Sequence, residues 1–356
     1  MSIFYPDNTT SRTQLTSSGL TDTNLLLNVS YSGVEKSISL TELRKTLKTF
    51  TVAVCTDMAA LSVTDSNIIE CLGRTTLGDG GGGTFYYDLD STATVDDGIV
   101  FNGPGSVGRF IRLWSNYVNI LWYGDCNGGD TDTAPLLRKA MVHGDVFFPA
   151  GNYNFNSYVN LKSNRKYFGD GGLRSILRRT GIQTSIFAIA NYDIEAFSEA
   201  TFVEAKENIE IKDLVFDWYL QSGWVNFAAL ILIKGSNTGN DDRLENLAIR
   251  SCKFIDSYSV SHSGSDAWAI NYASQAPTQE KLYIEDNKCE AEGHQFCAGG
   301  ADGWNCVKIK NNYIYHPRAN GITMSTLVSD AVWDDIEITG NEIVGPYSLG
   351  IWVGPD

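Results

Sequence analysis

Six acidic residues stand in the loops just ahead of a repeated strand pattern: Asp266 in "HSGSDAWAI", Glu292 in "EAEGHQF", Asp302 in "GGADGWN", and Asp330, Asp334 and Asp335 in "SDAVWDD". Two carboxylates held a few ångströms apart can do general acid–base or nucleophilic chemistry, one donating a proton while the other activates or attacks. Trp304 and Trp333 each sit three residues before the first apolar strand position, Val307 and Ile336. That shared spacing predicts neighbouring rings on adjacent strands, a stacking platform for a ligand such as a sugar ring. Asp302 and Asp330 precede those tryptophans by two and three residues, which makes them the preferred acid and base, or nucleophile. Asp266, with Trp268 two residues on, is a third candidate, and His294 joins the three tryptophans as a binding residue. The competing reading is that the tryptophans anchor loops and the acids are solvated turn formers.

The elements that would position these residues repeat. "NIEIKDLVFDW", "NLAIRSCKFIDS", "KLYIEDNKCEAE", "CVKIKNNYIYHP" and "DIEITGNEIVGP" superpose as apolar, any, Ile, any, turn residue, anchor, any, apolar, with anchors Leu214, Cys252, Asn287, Asn312 and Asn341. The anchors are 38, 35, 25 and 29 residues apart (252−214, 287−252, 312−287, 341−312). A variable period with constant strands predicts a parallel β-solenoid, in which no coil buries its apolar face without its neighbours. The three asparagines should stack at an inward turn, each amide bonding the next coil ~4.8 Å away. Cys252 takes the same register, and Cys289 falls on the next apolar position with Phe254, Ile314 and Ile343. A zinc site from Cys289, His294, Cys297 and Cys306 matches no familiar ligand spacing and would take Cys289 from the core.

With 27 basic and 42 acidic residues the chain carries a net charge of −15, which disfavours nucleic acid and anionic membranes as partners. No apolar stretch approaches the ~20 residues of a membrane span, and "MSIFYPDNTTSRTQ" lacks the form of a secretory signal. The expectation is therefore a protein made in a cytoplasm, without membrane insertion, metal or cofactor. Its seven cysteines, an odd number, argue against a disulfide framework and for buried thiols.

Residues 1–50 contain "LLLNVSY" and "EKSISL" around Ser32-Gly33, which predicts a hairpin, and Ser39 with Glu42 has capping-box spacing for a short helix. Residues 51–120 read as a compact β module holding "TLGDGGGGTFYYD". Four consecutive glycines raise the question of a phosphate loop, but Thr84, Phe85, Tyr86 and Tyr87 favour a strand where such a loop needs a helix N-terminus. Residues 121–356 form the solenoid, opened by a helix that carries Ala134, Leu137 and Met141 on one face, with Thr131 or Asp132 as its cap. Asp125, Asn127, Asp130 and Asp132 suggest calcium, yet an EF-hand register would place Glu where Leu136 stands, and capping explains them more economically.

Taken together these residues resemble the tailspike proteins of tailed bacteriophages, whose bodies are pectate-lyase-like parallel β-helices. "YGDCNGGDTDTAPLLRKAM", "GDVFFPAGNYNF" and "NLKSNRKYFGDGG" are similar to the Gly-Asp-rich loop, capping helix and first coil of that superfamily. "GDGGGGTFYYD" with "GRFIRLW" resembles the small β module that precedes it, and residues 1–50 resemble, less specifically, virion-attachment segments. The family usually has "TDD" where this chain has "TDT", which leaves capping intact, and the chain stops at "LGIWVGPD" within the solenoid pattern, as part of a longer protein would.

The resemblance implies an all-β protein: a right-handed single-stranded parallel β-helix behind small N-terminal β modules and a short capping helix. It implies a homotrimer that docks on other phage tail or baseplate proteins through residues 1–120, resides in the virion and acts at the host surface. Its partner there would be capsular polysaccharide or lipopolysaccharide. Glycoside hydrolysis needs carboxylates ~5–5.5 Å apart for retention or ~6.5–9.5 Å for inversion. A lyase would instead abstract a proton beside a uronic acid carboxylate, a task open to His262, His294 or Arg318. A non-catalytic adhesin or adaptor is the alternative, to be recognised by acids paired with Lys and Arg. A bacterial polysaccharide lyase or epimerase is disfavoured by the N-terminal modules.

Overall fold

The computed structural model describes residues 26–31, 34–39, 49–64 and 67–355, apart from 129–130, 182–184, 191, 194–197, 203, 220–227, 236–243, 257–266, 275–278, 291–294, 302, 318–319 and 327–331. The expected hairpin is present: Leu26–Tyr31 pairs antiparallel with Val34–Ser39, closing at Tyr31 opposite Val34. The helix expected after Ser39 lies outside the described residues.

From Val118 onward the chain winds as a parallel β-helix with three sheets. A representative coil contributes Lys206–Lys212 to sheet one, Val215–Asp217 to sheet two and Ala228–Gly235 to sheet three. The next contributes Leu244–Arg250, Lys253–Ile255 and Ala267–Ser274, each parallel to its predecessor. The described strands number eight, seven and seven in these sheets.

In five successive coils, from Lys206–Lys212 onward, the corner between sheets one and two takes two residues. The first is left-handed in each of the five: Asp213 (φ 56°), Ser251 (50°), Asp286 (57°), Asn311 (55°) and Gly340 (66°). Asn, Asp and Gly tolerate this region best, which is why the turn position is drawn mostly from them. The second is the anchor, and the ladder forms as expected. The Asn312 side-chain oxygen accepts from the Asn287 backbone N–H and amide at 3.0 Å each, and the Asn312 amide donates to Asn341 at 2.8 Å and to the Ile284 carbonyl at 2.9 Å. At its apolar end the ladder receives the Cys252 N–H on Asn287 at 2.9 Å.

A second left-handed ladder, five residues upstream, went unanticipated: Asn208, Asn246, Lys281, Cys306 and Asp335, preceded by Asn164. These residues bulge out of sheet one, because Glu207 pairs with Glu245 and Ile209 with Leu247 while Asn208 and Asn246 are skipped. The amides of Asn246 and Asn208 donate to Asn208 and Asn164 at 2.7 and 2.8 Å. The core inside is apolar and aromatic, with Phe216 stacked on Phe254 at 5.4 Å and Cys289 in register between Phe254 and Ile314.

The helix Ala134–Ala140 closes the first coil, burying Ala134, Leu137 and Ala140. Asp132 accepts the N–H of Ala134 at 3.1 Å and that of Asn156 at 3.0 Å, so its carboxylate ties helix to coil. Ahead of it lies a five-stranded sheet, in the order Thr49–Val52, Ile68–Cys71, Gly83–Asp88, Arg109–Arg112, Val100–Asn102.

The glycine run has its explanation in this neck sheet. Arg112, 3 % exposed, donates to the carbonyls of Gly82 (2.6 Å), Gly81 (2.9 Å) and Gly98 (2.8 Å). Its guanidinium lies over Phe85 at 4.4 Å and Trp122 at 4.6 Å. A Cβ on Gly83, at φ +151°, would stand 2.3 Å from Nη1 of Arg112, and one on Gly82 would stand 2.4 Å from the Cys71 carbonyl. The run is glycine because a cation and a neighbouring strand occupy the space side chains would need. Burial lowers the Arg112 guanidinium to about 10, which keeps it charged at neutral pH.

Candidate functional site

Sheet three and the corner where it hands over to sheet one carry the candidate residues. Strand Gln295–Ala301 of sheet three ends one residue before strand Gly303–Lys310 of sheet one begins, and Asp302 is the residue between. In the following coil Ile322–Thr326 is succeeded by Val332–Thr339, and Asp330 falls in the intervening segment. Trp304 pairs directly with Trp333, and Gly303 with Val332, so the expected adjacency of the tryptophans on neighbouring coils is present in the backbone.

In the sequence Asp266 and His294 stand just ahead of two strands of sheet three. They precede Ala267–Ser274 and Gln295–Ala301, which pair with Trp268 opposite Gln295. Asp266, His294, Asp302 and Asp330 lie outside the described residues, as do Glu292, His262 and Arg318. Trp333 is half-buried, packed against the solenoid core. Trp268 is 8 % exposed and packs with Ala229 and Leu232, a placement that serves packing more than stacking.

Several of the described acids on the outer faces are paired. Arg250 bridges Glu210 (3.4 Å) and Glu285 (2.8 Å), Lys281 meets Glu245 (3.2 Å), and Lys253 and Lys288 both meet Glu290 (2.5 Å each). Asp335 accepts from Lys308 at 2.8 Å, and that bond holds its carboxyl below the usual range. Glu337 is held down likewise, first by Lys310 at 2.5 Å. Asp335 is thus a bulge residue in an ion pair. Among the described residues no three His, Cys, Asp or Glu side chains converge as a metal site, and no helix is long and apolar enough to cross a membrane. Cys289 and Cys297 are core residues, and burial pushes the Cys297 thiol up to about 12.

Sequence reasoning missed a trough on the outer face of sheet one. One end, of about 560 Å³, is lined by Tyr117, Phe147 and Phe168 with Lys166, Lys212 and Asp170. The three rings pack at 5.2–5.5 Å, set by the register of Phe168 opposite Phe147. The other end, of similar volume, shares Asp145 and Lys166 and runs along the Asn164, Asn208 and Asn246 ladder. Its signal in the sequence was the recurrence of Asn before the apolar strand position in "SNRKYF", "ENIEIK" and "ENLAIR".

Residues 117–345 match the family model described as Rhamnogalacturonase A/epimerase, pectate lyase-like. The chain belongs to this pectate lyase-like family. Residues 54–115, ahead of that span, match the phage tail protein small four-stranded β-sheet domain, and the strand Thr49–Val52 extends that sheet by one.

Solved structures similar to this pectate lyase-like chain include the Acinetobacter baumannii phage AM24 tailspike, at 16 % identity over 87 % of this chain and 57 % of that one, TM-score 0.47. The enzymatically active domain of bacteriophage CBA120 tailspike protein 2 matches at 15 % identity, 85 % and 52 %, TM-score 0.47. Tailspike gp49 of Acinetobacter baumannii bacteriophage Fri1, a capsular polysaccharide depolymerase, matches at 13 % identity, 85 % and 69 %, TM-score 0.43. The chain spans little more than half the length of the first two.

Proposed function

We propose that this chain is part of a bacteriophage tailspike that attaches to the virion through residues 1–120 and depolymerises a host surface polysaccharide along its β-helix. The observation that carries this reading is the order of modules, a phage-tail β-sheet domain immediately followed by a pectate lyase-like β-helix. The spike is a homotrimer on other tail proteins, made in the host cytoplasm, and its substrate is a capsular polysaccharide or lipopolysaccharide. Asp302 and Asp330 act as acid and base or nucleophile, and Trp304 and Trp333 form the stacking platform.

The test is to incubate the purified chain with capsular and O-antigen polysaccharides and follow chain length by size-exclusion chromatography. Shortening that disappears in Asp302→Asn and Asp330→Asn is the expected result; shortening that survives both removes these residues from the mechanism. The second reading, a non-catalytic adhesin, is favoured by the pairing of the described outer-face acids with Lys and Arg. Polysaccharide retention without shortening would establish it.

A further inference from the structure

Cys55 begins the 3-10 turn Cys55–Ala60 of the neck, and Cys71 ends the strand Ile68–Cys71. Their sulfurs lie 3.0 Å apart, and each residue is 2 % exposed. The backbone fixes both: the Cys55 N–H donates to the Gly73 carbonyl at 3.1 Å, and the Cys71 thiol to the same carbonyl at 3.0 Å. The glycine run packs behind them, with Gly82 against the Cys71 carbonyl. We propose that Cys55 and Cys71 form a peroxide-reactive dithiol, which closes to a disulfide across the neck.

The two sulfurs are chemically unequal. The Cys71 contact lowers the Cys55 thiol; burial opposes this, the Arg112 and Arg74 guanidiniums add to it, and the Asp79 carboxylate opposes it. Cys71 is raised, first by the Cys55 contact and then by burial. Cys55 is therefore the sulfur assigned to attack and Cys71 the one assigned to resolve. The Cys55 sulfur attacks one oxygen of hydrogen peroxide: an S–O bond forms, the O–O bond breaks, and the departing hydroxide takes up a proton as water. Cys71 then gives up its proton and attacks the Cys55 sulfur, forming the S–S bond and expelling a second water as the S–O bond breaks. Two thiols and one peroxide yield one disulfide and two waters, the sulfurs oxidised and the peroxide oxygens reduced. Peroxide is close to water in size, which suits a buried pair better than a bulky disulfide oxidant.

The experiment treats the purified full chain with hydrogen peroxide, counts thiols in denaturant and maps peptides without reduction. Of the seven cysteines, two should be consumed, a Cys55–Cys71 linked peptide should appear, and dithiothreitol should restore both thiols. In Cys71→Ala the linked peptide should be absent and Cys55 should be trapped by dimedone as a sulfenic acid. Retention of all seven thiols, a linked peptide that omits either residue, or Cys55 recovered as sulfinic acid without a bridge would overturn the proposal. The wild-type map decides alone where the variant does not fold.

Discussion

The neck and the solenoid solve the same problem, satisfying polar groups inside a β structure, by opposite means. In the solenoid the solution is repeated: Asn287, Asn312 and Asn341 each make the same bonds to the neighbouring coil, and each shares its load with the next. In the neck it is concentrated, because the buried Arg112 collects three carbonyls from two loops and lies over two aromatic rings. Repetition spreads stability over many residues, and a single cation concentrates it. The neck should therefore fail at points and the solenoid by degrees.

The largest expected effect is that of Arg112→Met. It leaves the carbonyls of Gly81, Gly82 and Gly98 without their buried donor and should cost on the order of 3 kcal/mol, read as an earlier urea transition of the neck. A loss no larger than that of one ladder asparagine would erase the contrast. Asn312→Ala, in the middle of the ladder, should cost about 2 kcal/mol. Asn341→Ala, at a partly exposed rung, should cost about half as much by the same measure. Gly83→Ala should cost about 2 kcal/mol from the Cβ clash with Arg112 and the strain of φ +151°; the clash part should vanish when Arg112 is already Met, while the backbone strain remains. A double-mutant cycle in urea measures this coupling.

The smallest effect concerns pH. Burial opposes ionisation of Asp79, but N–H bonds from Thr76, Arg74, Thr75 and Gly81 prevail and lower it from 3.8 to about 2. A depressed carboxylate contributes stability above its unfolded value of 3.8 that is lost as pH falls toward 2. The neck's melting temperature should decline across that window, and Asp79→Asn should flatten the decline.

The solenoid was legible because its rules are local and repeated. Five segments carried the same alternation, and an inward Asn at one register needs the same backbone donors in every coil. The bulge ladder was harder to read, since Lys281 and Cys306 occupy positions where Asn208 and Asn246 announce the conformation and residue type changes while φ does not. The role of the glycine run was illegible, because its partner Arg112 stands about thirty residues downstream. The pairing of Trp304 with Trp333 could be counted from the spacing to Val307 and Ile336. The burial of Trp268 could not, because it depends on Ala229 and Leu232 of the preceding coil.

The direction of the ladders has a mechanical consequence. Hydrogen bonds between coils point along the axis of the winding, so tension between its two ends meets one coil interface after another, as with the links of a chain. A stalk of this construction yields first to lengthwise pulling, bending loads the same bonds on its outer side, and its weakest rung sets the load at which it begins to unwind.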